Sequence, residues 1–274
     1  MLKLMYITNA PDVAKIAVDA GVDRIFIDME ALGKTERQRG RDTVQSHHTQ
    51  EDIARVREAI GGRAEVMARI DPLNPSSQAE IDASIESGAD VIMLPMWRTA
   101  DELRRFADIV GGRARTMPLL ETDEAARSLA QALAVPGIDE MHIGLNDLHL
   151  CYNMSFMFQL LADGTVERLC RQLQDANIPC GFGGVGRPGS GTLPAELIIG
   201  EHVRLGSQYV ILSRSFCDSH RVADLRELRR IFTGGIADIR RVEGECAAWA
   251  QEQLEDNRRR VVARVGEIVR EMRV

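Results

Sequence analysis

The sequence predicts a (β/α)₈ barrel, the TIM-barrel fold, with an additional C-terminal helix. Short apolar segments typical of buried strands alternate with segments of helical periodicity, and this alternation indicates a parallel sheet covered by helices. Eight such repeats can be counted, the number that closes a barrel, and 274 residues suit one barrel rather than two catalytic domains. Glycines such as Gly21 and Gly88 follow predicted helices, where a left-handed cap favours glycine.

The elements are predicted in strict alternation along the chain. Strands are expected at Lys3–Thr8, Arg24–Met29, Ala64–Ile70, Asp90–Leu94, Arg115–Leu120, Glu140–Ile143, Pro179–Phe182 and Tyr209–Leu212. Helices are expected at Pro11–Ala20, Thr49–Ile60, Ser76–Ser87, Thr99–Val110, Asp123–Ala134, between Ser155 and Ala176, at Pro194–Leu205 and at Val222–Phe232. Thr49 and Asp52 stand three residues apart, close to the pattern of a capping box.

Composition excludes several classes of protein. A net charge of -7 and a pI near 5.5 argue against a nucleic-acid partner, whose electrostatic footprint would be basic. The five cysteines are scattered and odd in number, which indicates reduced thiols rather than a disulfide framework or a zinc site. No signal peptide is recognisable in the first ten residues, and no apolar run approaches the length of a membrane span. These features together predict a cytoplasmic protein.

A final segment lies outside the eight repeats. We expect a barrel domain over residues 1–239 and a C-terminal helix over residues 240–274. This helix carries an apolar stripe at helical spacing, formed by Val261, Val265, Ile268, Val269 and Met272. The stripe must be covered by the parent barrel or by a neighbouring subunit, and the pattern alone does not decide between the two.

Two apolar segments end in carboxylates. Residues 117–122 place Glu121 at the end of the fifth strand, and residues 142–148 place Asp147 after the sixth. Parallel strands end at the rim where barrel active sites form, and two carboxylates there can hold a hard divalent cation. Oxygen ligands and the lack of a cysteine–histidine cluster predict Mg²⁺ or Mn²⁺ rather than zinc. Each carboxylate taken alone is more often a helix cap or an arginine partner than a metal ligand.

Strands two and three also end in charged residues. Asp28 and Glu30 follow strand two, and Arg69 and Asp71 follow strand three. An arginine at a strand end can hold a carboxylate or an enolate oxygen with two parallel hydrogen bonds. We therefore expect Arg69 and Glu30 to take part in catalysis and Asp28 to contact substrate.

Two further loops contribute candidate residues. The loop from Ala31 to His48 is longer than usual and contains Lys34; His48 precedes the second helix and can serve as a general base, although two loop histidines can equally be merely solvated. The glycine-rich segment at 181–191 lies where barrels often bind anionic groups, and Arg214 follows strand eight. A plain flexible loop is the alternative for that segment.

The ordered motifs resemble those of one family. They are Phe26-Ile27-Asp28-Met29-Glu30, Ala68-Arg69-Ile70, residues 88–95, Leu120-Glu121-Thr122 and residues 143–148. Over about Arg24 to Phe216 the chain resembles the HpcH/HpaI aldolase and citrate lyase beta-subunit family. The resemblance implies a (β/α)₈ barrel with a C-terminal helix exchanged between subunits, a divalent metal on Glu121 and Asp147, an enolate oxygen on Arg69, and a homo-oligomer such as a trimer or hexamer.

The sequence departs from the family pattern at two positions. Ala31 stands where the aldolase branch has a proton-transferring histidine, and Leu119 stands where it has a glutamine. We take His48 as the replacement base and Lys34 as a second polar contact.

The function expected is a metal-dependent aldolase that forms or cleaves a carbon–carbon bond next to the enolate of a small 2-oxo acid. The alternatives are a CoA-ester lyase of the citrate, citramalyl or malyl type, which the missing acidic continuation after Glu30 disfavours, and a barrel that only binds or assembles.

Overall fold

Eight parallel strands pair side by side and close into a barrel. The computed structural model describes residues 1–33, 48–219, 221–222 and 224–272. Each strand pairs with the next along the chain and the last pairs with the first, which confirms the predicted fold class. The strands are β1 (Lys3–Ile7), β2 (Arg24–Asp28), β3 (Glu65–Arg69), β4 (Val91–Leu94), β5 (Arg115–Leu120), β6 (Met141–Ile143), β7 (Cys180–Val185) and β8 (Tyr209–Leu212).

Helices surround the barrel. They are α1 (Pro11–Asp19), α2 (Gln50–Ile60), α3 (Ser77–Glu86), α4 (Ala100–Val110), α5 (Asp123–Ala132), α6 (Leu145–Cys151), α7 (Gln159–Ala162), α8 (Thr165–Asp175), α9 (Ala195–Arg204), α10 (Leu225–Ala247) and α11 (Gln251–Glu271). Within the described part of the chain, every helix is too short or too polar to cross a membrane.

Three local details differ from the sequence-based expectation. Helix α6 follows β6 directly and was not predicted. The glycines at 183 and 184 lie within β7 rather than in a loop. Helix α10 continues through residue 240 to Ala247, so the expected boundary between residues 239 and 240 falls inside a helix, and the additional helix begins at Gln251.

The apolar core has two parts, as a barrel requires. One fills the barrel interior and is built mainly from large side chains on alternate strand positions: Met5, Phe26, Met67, Val91, Met93, Met117, Leu119 and Tyr209. The other lies between the strands and the surrounding helices and is much larger. The interior is therefore packed with side chains, and chemistry is confined to the ends of the barrel.

A partly buried network of ion pairs closes the N-terminal end of the barrel. Arg24 is 0% exposed and donates hydrogen bonds to Glu65 at 2.7 Å and to Glu140 at 2.9 Å. Arg115 pairs with the same two carboxylates. Two guanidinium groups and two carboxylates thus balance each other's charge, which is the condition for burying ions without a large penalty. We refer to these four residues as the ion-pair quartet.

Helix α11 packs against its own chain. Val261, Val265 and Ile268 are buried, and Asn257 donates hydrogen bonds to the Leu197 carbonyl oxygen at 3.0 Å and to Glu201 at 2.9 Å, both on α9. The central part of the predicted apolar stripe is therefore covered within the chain. It does not by itself require a second subunit.

Candidate active site

Arg69 lies at the centre of a cluster of charged side chains at the C-terminal end of the barrel. The register of β2 and β3 places it beside Asp28, and its Nε atom lies 2.9 Å from Asp28 Oδ1 and 3.4 Å from Glu30 Oε2. Both carboxylates are buried. Burial alone would lower the pKa of Arg69, but the carboxylates of Asp28, Glu30 and Glu121 outweigh burial and raise the pKa. Arg69 therefore stays charged in this site.

Glu121 is the carboxylate that follows β5. Its side chain is 3% exposed, and its Oε1 atom accepts a hydrogen bond from the Met96 backbone N–H at 3.0 Å. Burial raises the pKa of Glu121 to about 8, the negative charge of Asp147 adds to this effect, and Arg69 opposes it. Glu121 therefore interacts electrostatically with both Asp147 and Arg69.

Asp147 lies in the first turn of α6 and is partly buried. A carboxylate in the first turn of a helix is stabilised by the helix dipole. Asp147 adds to the raised pKa of Glu121, and two such carboxylates form a donor set that a hard cation would stabilise. Mg²⁺ is commonly held by one or two carboxylates with water and substrate completing its shell. Among the described residues, no group of three or more histidine, cysteine, aspartate or glutamate side chains is placed to hold a metal. The residues present thus fit a two-carboxylate Mg²⁺ or Mn²⁺ site rather than an all-protein cage.

His48 contacts the backbone of β2. Its Nδ1 atom accepts a hydrogen bond from the Asp28 N–H at 2.9 Å. Asp52 accepts a hydrogen bond from the N–H of Thr49 at 2.8 Å and fixes the chain directly after His48, as the capping pattern predicts. Because a backbone N–H can only donate, Nδ1 carries no proton in this arrangement and the ring proton lies on Nε2. This geometry favours His48 as a hydrogen-bond donor and not as the general base expected from the sequence.

The remaining predicted residues lie further out or outside the described chain. Asp71 accepts hydrogen bonds from the N–H groups of Ala31 and Leu32 at 2.7 and 2.8 Å, so it holds the start of the long loop. Arg214 is exposed in a turn after β8. Lys34 lies outside the described residues.

The turn between β4 and α4 is a part of the site that the sequence did not indicate. Met96 adopts a φ of 56°, the left-handed region that residues other than glycine rarely occupy. The Thr122 hydroxyl donates to the Trp97 carbonyl oxygen at 2.8 Å, and the Ser128 hydroxyl donates to that of Arg98 at 2.9 Å. The turn is thereby attached to the segment that carries Glu121. Strain held by several hydrogen bonds is typical of functional sites.

Comparisons with known proteins agree with the barrel fold. The model of the HpcH/HpaI aldolase/citrate lyase family matches residues 3–155, more than half of the 274-residue chain. The HpcH/HpaI aldolase from Desulfitobacterium hafniense superposes with a TM-score of 0.60 at 16% identity, over 87% of this chain and 93% of that one. A HpcH/HpaI aldolase/citrate lyase family protein from Burkholderia cenocepacia gives a TM-score of 0.63 at 14% identity, over 83% of this chain and 94% of that one. A comparison with curated proteins gives no match.

The chain therefore belongs to the HpcH/HpaI aldolase/citrate lyase family, whose aldolases are carbon–carbon lyases. The family is generally dependent on a divalent metal and acts on small carboxylate substrates.

Proposed function

We propose that the protein is a divalent-metal-dependent aldolase that forms or cleaves a carbon–carbon bond next to the enolate of a 2-oxo acid of the pyruvate type. The observation that carries this proposal is the cluster of Arg69, Glu121 and Asp147 at the C-terminal end of the barrel, where Arg69 and Asp147 both shift the pKa of the buried Glu121. A positive group beside carboxylates suits a substrate whose oxygen becomes negatively charged during the reaction.

Glu121 and Asp147 would hold Mg²⁺ or Mn²⁺ in this proposal. When bound, the cation polarises the 2-oxo carbonyl group and so makes the neighbouring carbon more acidic.

Arg69 provides hydrogen bonds to the enolate oxygen, and Asp28, at 2.9 Å from its Nε atom, orients the guanidinium group. Arg69 has N–H groups beyond Nε, so it can hold Asp28 and a substrate oxygen at once. Lys34 and Arg214 are proposed as contacts to the substrate carboxylate.

Proton transfer is assigned to Glu30, with assistance from His48. The contact between Arg69 and Glu30 is the longer of the two ion pairs, 3.4 Å against 2.9 Å. Glu30 accepts the hydroxyl proton of the acceptor half in the cleavage direction. Neutral His48 donates from Nε2 to a substrate oxygen, a role that a neutral imidazole can fill without titrating. We further propose that the protein is a homo-oligomer whose interface does not depend on the central stripe of α11.

Deuterium exchange at the methyl group of pyruvate tests the proposal directly, because it requires the enolate and no acceptor. In D₂O with Mg²⁺ or Mn²⁺, proton NMR should show loss of the methyl signal, and a chelator should stop it. Glu121→Gln and Asp147→Asn should abolish exchange, while Asp108→Asn, a change of an exposed carboxylate on α4, should not. Exchange that survives chelation and both variants would refute metal-dependent enolate formation.

The same experiment separates the alternatives. A CoA-ester lyase would exchange the α-protons of an acyl-CoA thioester and leave pyruvate unchanged. A barrel that only binds or assembles would exchange neither substrate.

A further inference from the structure

Cys170 and Cys180 form a pair of buried thiols between α8 and β7. Only residues 176–179 connect this helix to the strand, and the two elements pack against each other. The Cys170 side chain is hydrogen-bonded to that of Cys180, and both residues are 1% exposed. Both are free thiols in the structure. A disulfide requires its two cysteines to be close neighbours, and this pair meets that condition.

The hydrogen bond makes the two sulfur atoms chemically unequal. It raises the pKa of the Cys170 thiol, and burial adds to this effect. It lowers the pKa of the Cys180 thiol, while burial opposes that shift. Cys170 is therefore the hydrogen-bond donor, and Cys180 is the acceptor that gains thiolate character. A sulfur with a lowered pKa beside a second cysteine is typical of cysteines that respond to oxidants.

A cavity of about 470 Å³ reaches Cys170 from the protein surface. It lies between α8, α9, the turn that follows α9 and the start of α11. Arg171, whose side chain is largely exposed, stands at the opening. Arg204 lies in the wall, and its positive charge favours the thiolate form of Cys170, which the negative charge of Glu167 opposes. A small oxidant can thus reach the pair although both cysteines are buried.

We propose that Cys170 and Cys180 are a reversible oxidation site that forms a disulfide on exposure to hydrogen peroxide. One sulfur attacks the peroxide, so that an S–O bond forms, the O–O bond breaks and one water molecule leaves. The other sulfur attacks the resulting sulfenic acid, so that the S–S bond forms, the S–O bond breaks and a second water molecule leaves. Each sulfur loses one electron, the peroxide gains both, and the two thiol protons end in the water molecules. A thiol reductant reverses the change.

This site is separate from the proposed aldolase chemistry. Both cysteines belong to the larger apolar core between the strands and the helices, whereas the site at Arg69 lies at the C-terminal end of the barrel. The oxidation of the pair can therefore be judged whether or not the protein proves to be an aldolase.

Mass spectrometry of peroxide-treated protein tests the assignment. After removal of the peroxide, the protein is unfolded in N-ethylmaleimide and digested without reduction by trypsin, which cleaves after Arg171 and so separates the two cysteines. Wild-type protein should give a pair of linked peptides that a thiol reductant releases. Cys170→Ser and Cys180→Ser should give none. Cys246→Ser, a change of another buried cysteine on α10, should leave the linked pair unaltered.

The exposed Cys151 serves as an internal standard for the oxidant. Oxidation of Cys151 in a sample where Cys170 and Cys180 still react fully with N-ethylmaleimide would overturn the assignment. Linked peptides that form only when the peroxide is added in urea would also overturn it, because the folded contacts would then not bring the two sulfur atoms together.

Two further variants test the cavity as the route of access. Glu255→Trp adds bulk to the cavity wall on α11 and should slow formation of the linked peptides severalfold. Glu252→Trp is the matched control, because Glu252 is an exposed residue of the same helix outside the cavity. Equal rates in the two variants would overturn the cavity as the route by which peroxide reaches Cys170.

Discussion

Gly144 and Glu121 pack so closely that a single added methyl group would force one of them to move. A Cβ atom on residue 144 would lie 2.8 Å from Glu121 Cβ and 3.0 Å from its Oε2 atom. The Gly144 N–H also donates to the Leu120 carbonyl oxygen at 2.9 Å, so the backbone at this point cannot easily retreat. The absence of a side chain at Gly144 therefore leaves the space that the Glu121 side chain occupies.

We expect Gly144→Ala to displace the Glu121 carboxylate and to weaken Mn²⁺ binding. A misplacement on the order of 1 Å can cost about 100-fold in rate, so pyruvate exchange should fall strongly while the fold persists. Mn²⁺ titration followed by electron paramagnetic resonance measures the affinity. Gly234→Ala is the matched control, because a Cβ at that helical position meets no neighbour within 4 Å. Equal Mn²⁺ affinity in the two variants would contradict a role for Glu121 as ligand.

Arg69→Lys should lower kcat by about 100-fold or more, because lysine keeps the charge but cannot make two parallel hydrogen bonds. The change also removes the contact between Nε and Asp28 at 2.9 Å, so thermal unfolding is measured alongside turnover. Asp28→Asn provides the comparison, since it alters the partner of Arg69 and leaves the guanidinium group present. A near-normal rate in Arg69→Lys would make Arg69 a structural partner of Asp28.

His48→Asn should reduce turnover without changing the shape of the pH–rate profile. Asparagine can still accept the hydrogen bond of the Asp28 N–H through its side-chain oxygen, but it lacks the Nε2–H donor. Steady-state rates across the neutral range check this expectation. Disappearance of the low-pH limb in the variant would instead identify His48 as the base, as the sequence alone suggested.

Two buried histidines should make the fold sensitive to acid. Burial lowers the pKa of His142 to about 4, with added repulsion from Arg24 and Arg69. Burial also lowers the pKa of His202 to about 3, with a contribution from His142. As pH falls below the ordinary histidine pKa of about 6.5, the unfolded chain binds protons that the folded chain does not. The free energy of unfolding should then fall by up to about 1.4 kcal/mol per pH unit for each histidine.

Urea denaturation between pH 6.5 and pH 4 tests this effect through the variant His142→Gln. Glu80 and Glu121 have raised pKa values, to about 7 and about 8, and act in the opposite direction, so the comparison is between variant and wild type. The variant should lose less stability across this range. Parallel curves for the two proteins would show that His142 does not contribute.

The barrel was predictable from the sequence because each strand is a short buried segment. Strands buried on both faces consist of nearly continuous apolar residues, and their boundaries could be placed to within a few residues. Helix α6 was missed because residues 143–148 were interpreted only as the exit from a strand. Leu145, Leu148 and His149 are its buried residues, and their spacing of three and four positions was the available signal.

The partners of the site residues were less predictable. Arg69 and Glu121 were recognised from their positions at strand ends, but the hydrogen bond between Met96 and Glu121 depends on a left-handed backbone that no residue type indicated. The orientation of the His48 ring could not be predicted from the sequence either, because it depends on a contact with the backbone of β2. The sequence contains a weak indication of the ion-pair quartet. Arg24, Glu65 and Arg115 each begin a strand and Glu140 precedes one, so all four lie in one layer of the barrel.

The ion-pair quartet also determines by which end of the barrel ligands enter and leave. Since it closes the N-terminal end, reactants and products of the site at Arg69 share one opening at the other end. Every ligand of that site must therefore enter and leave past the C-terminal ends of the strands.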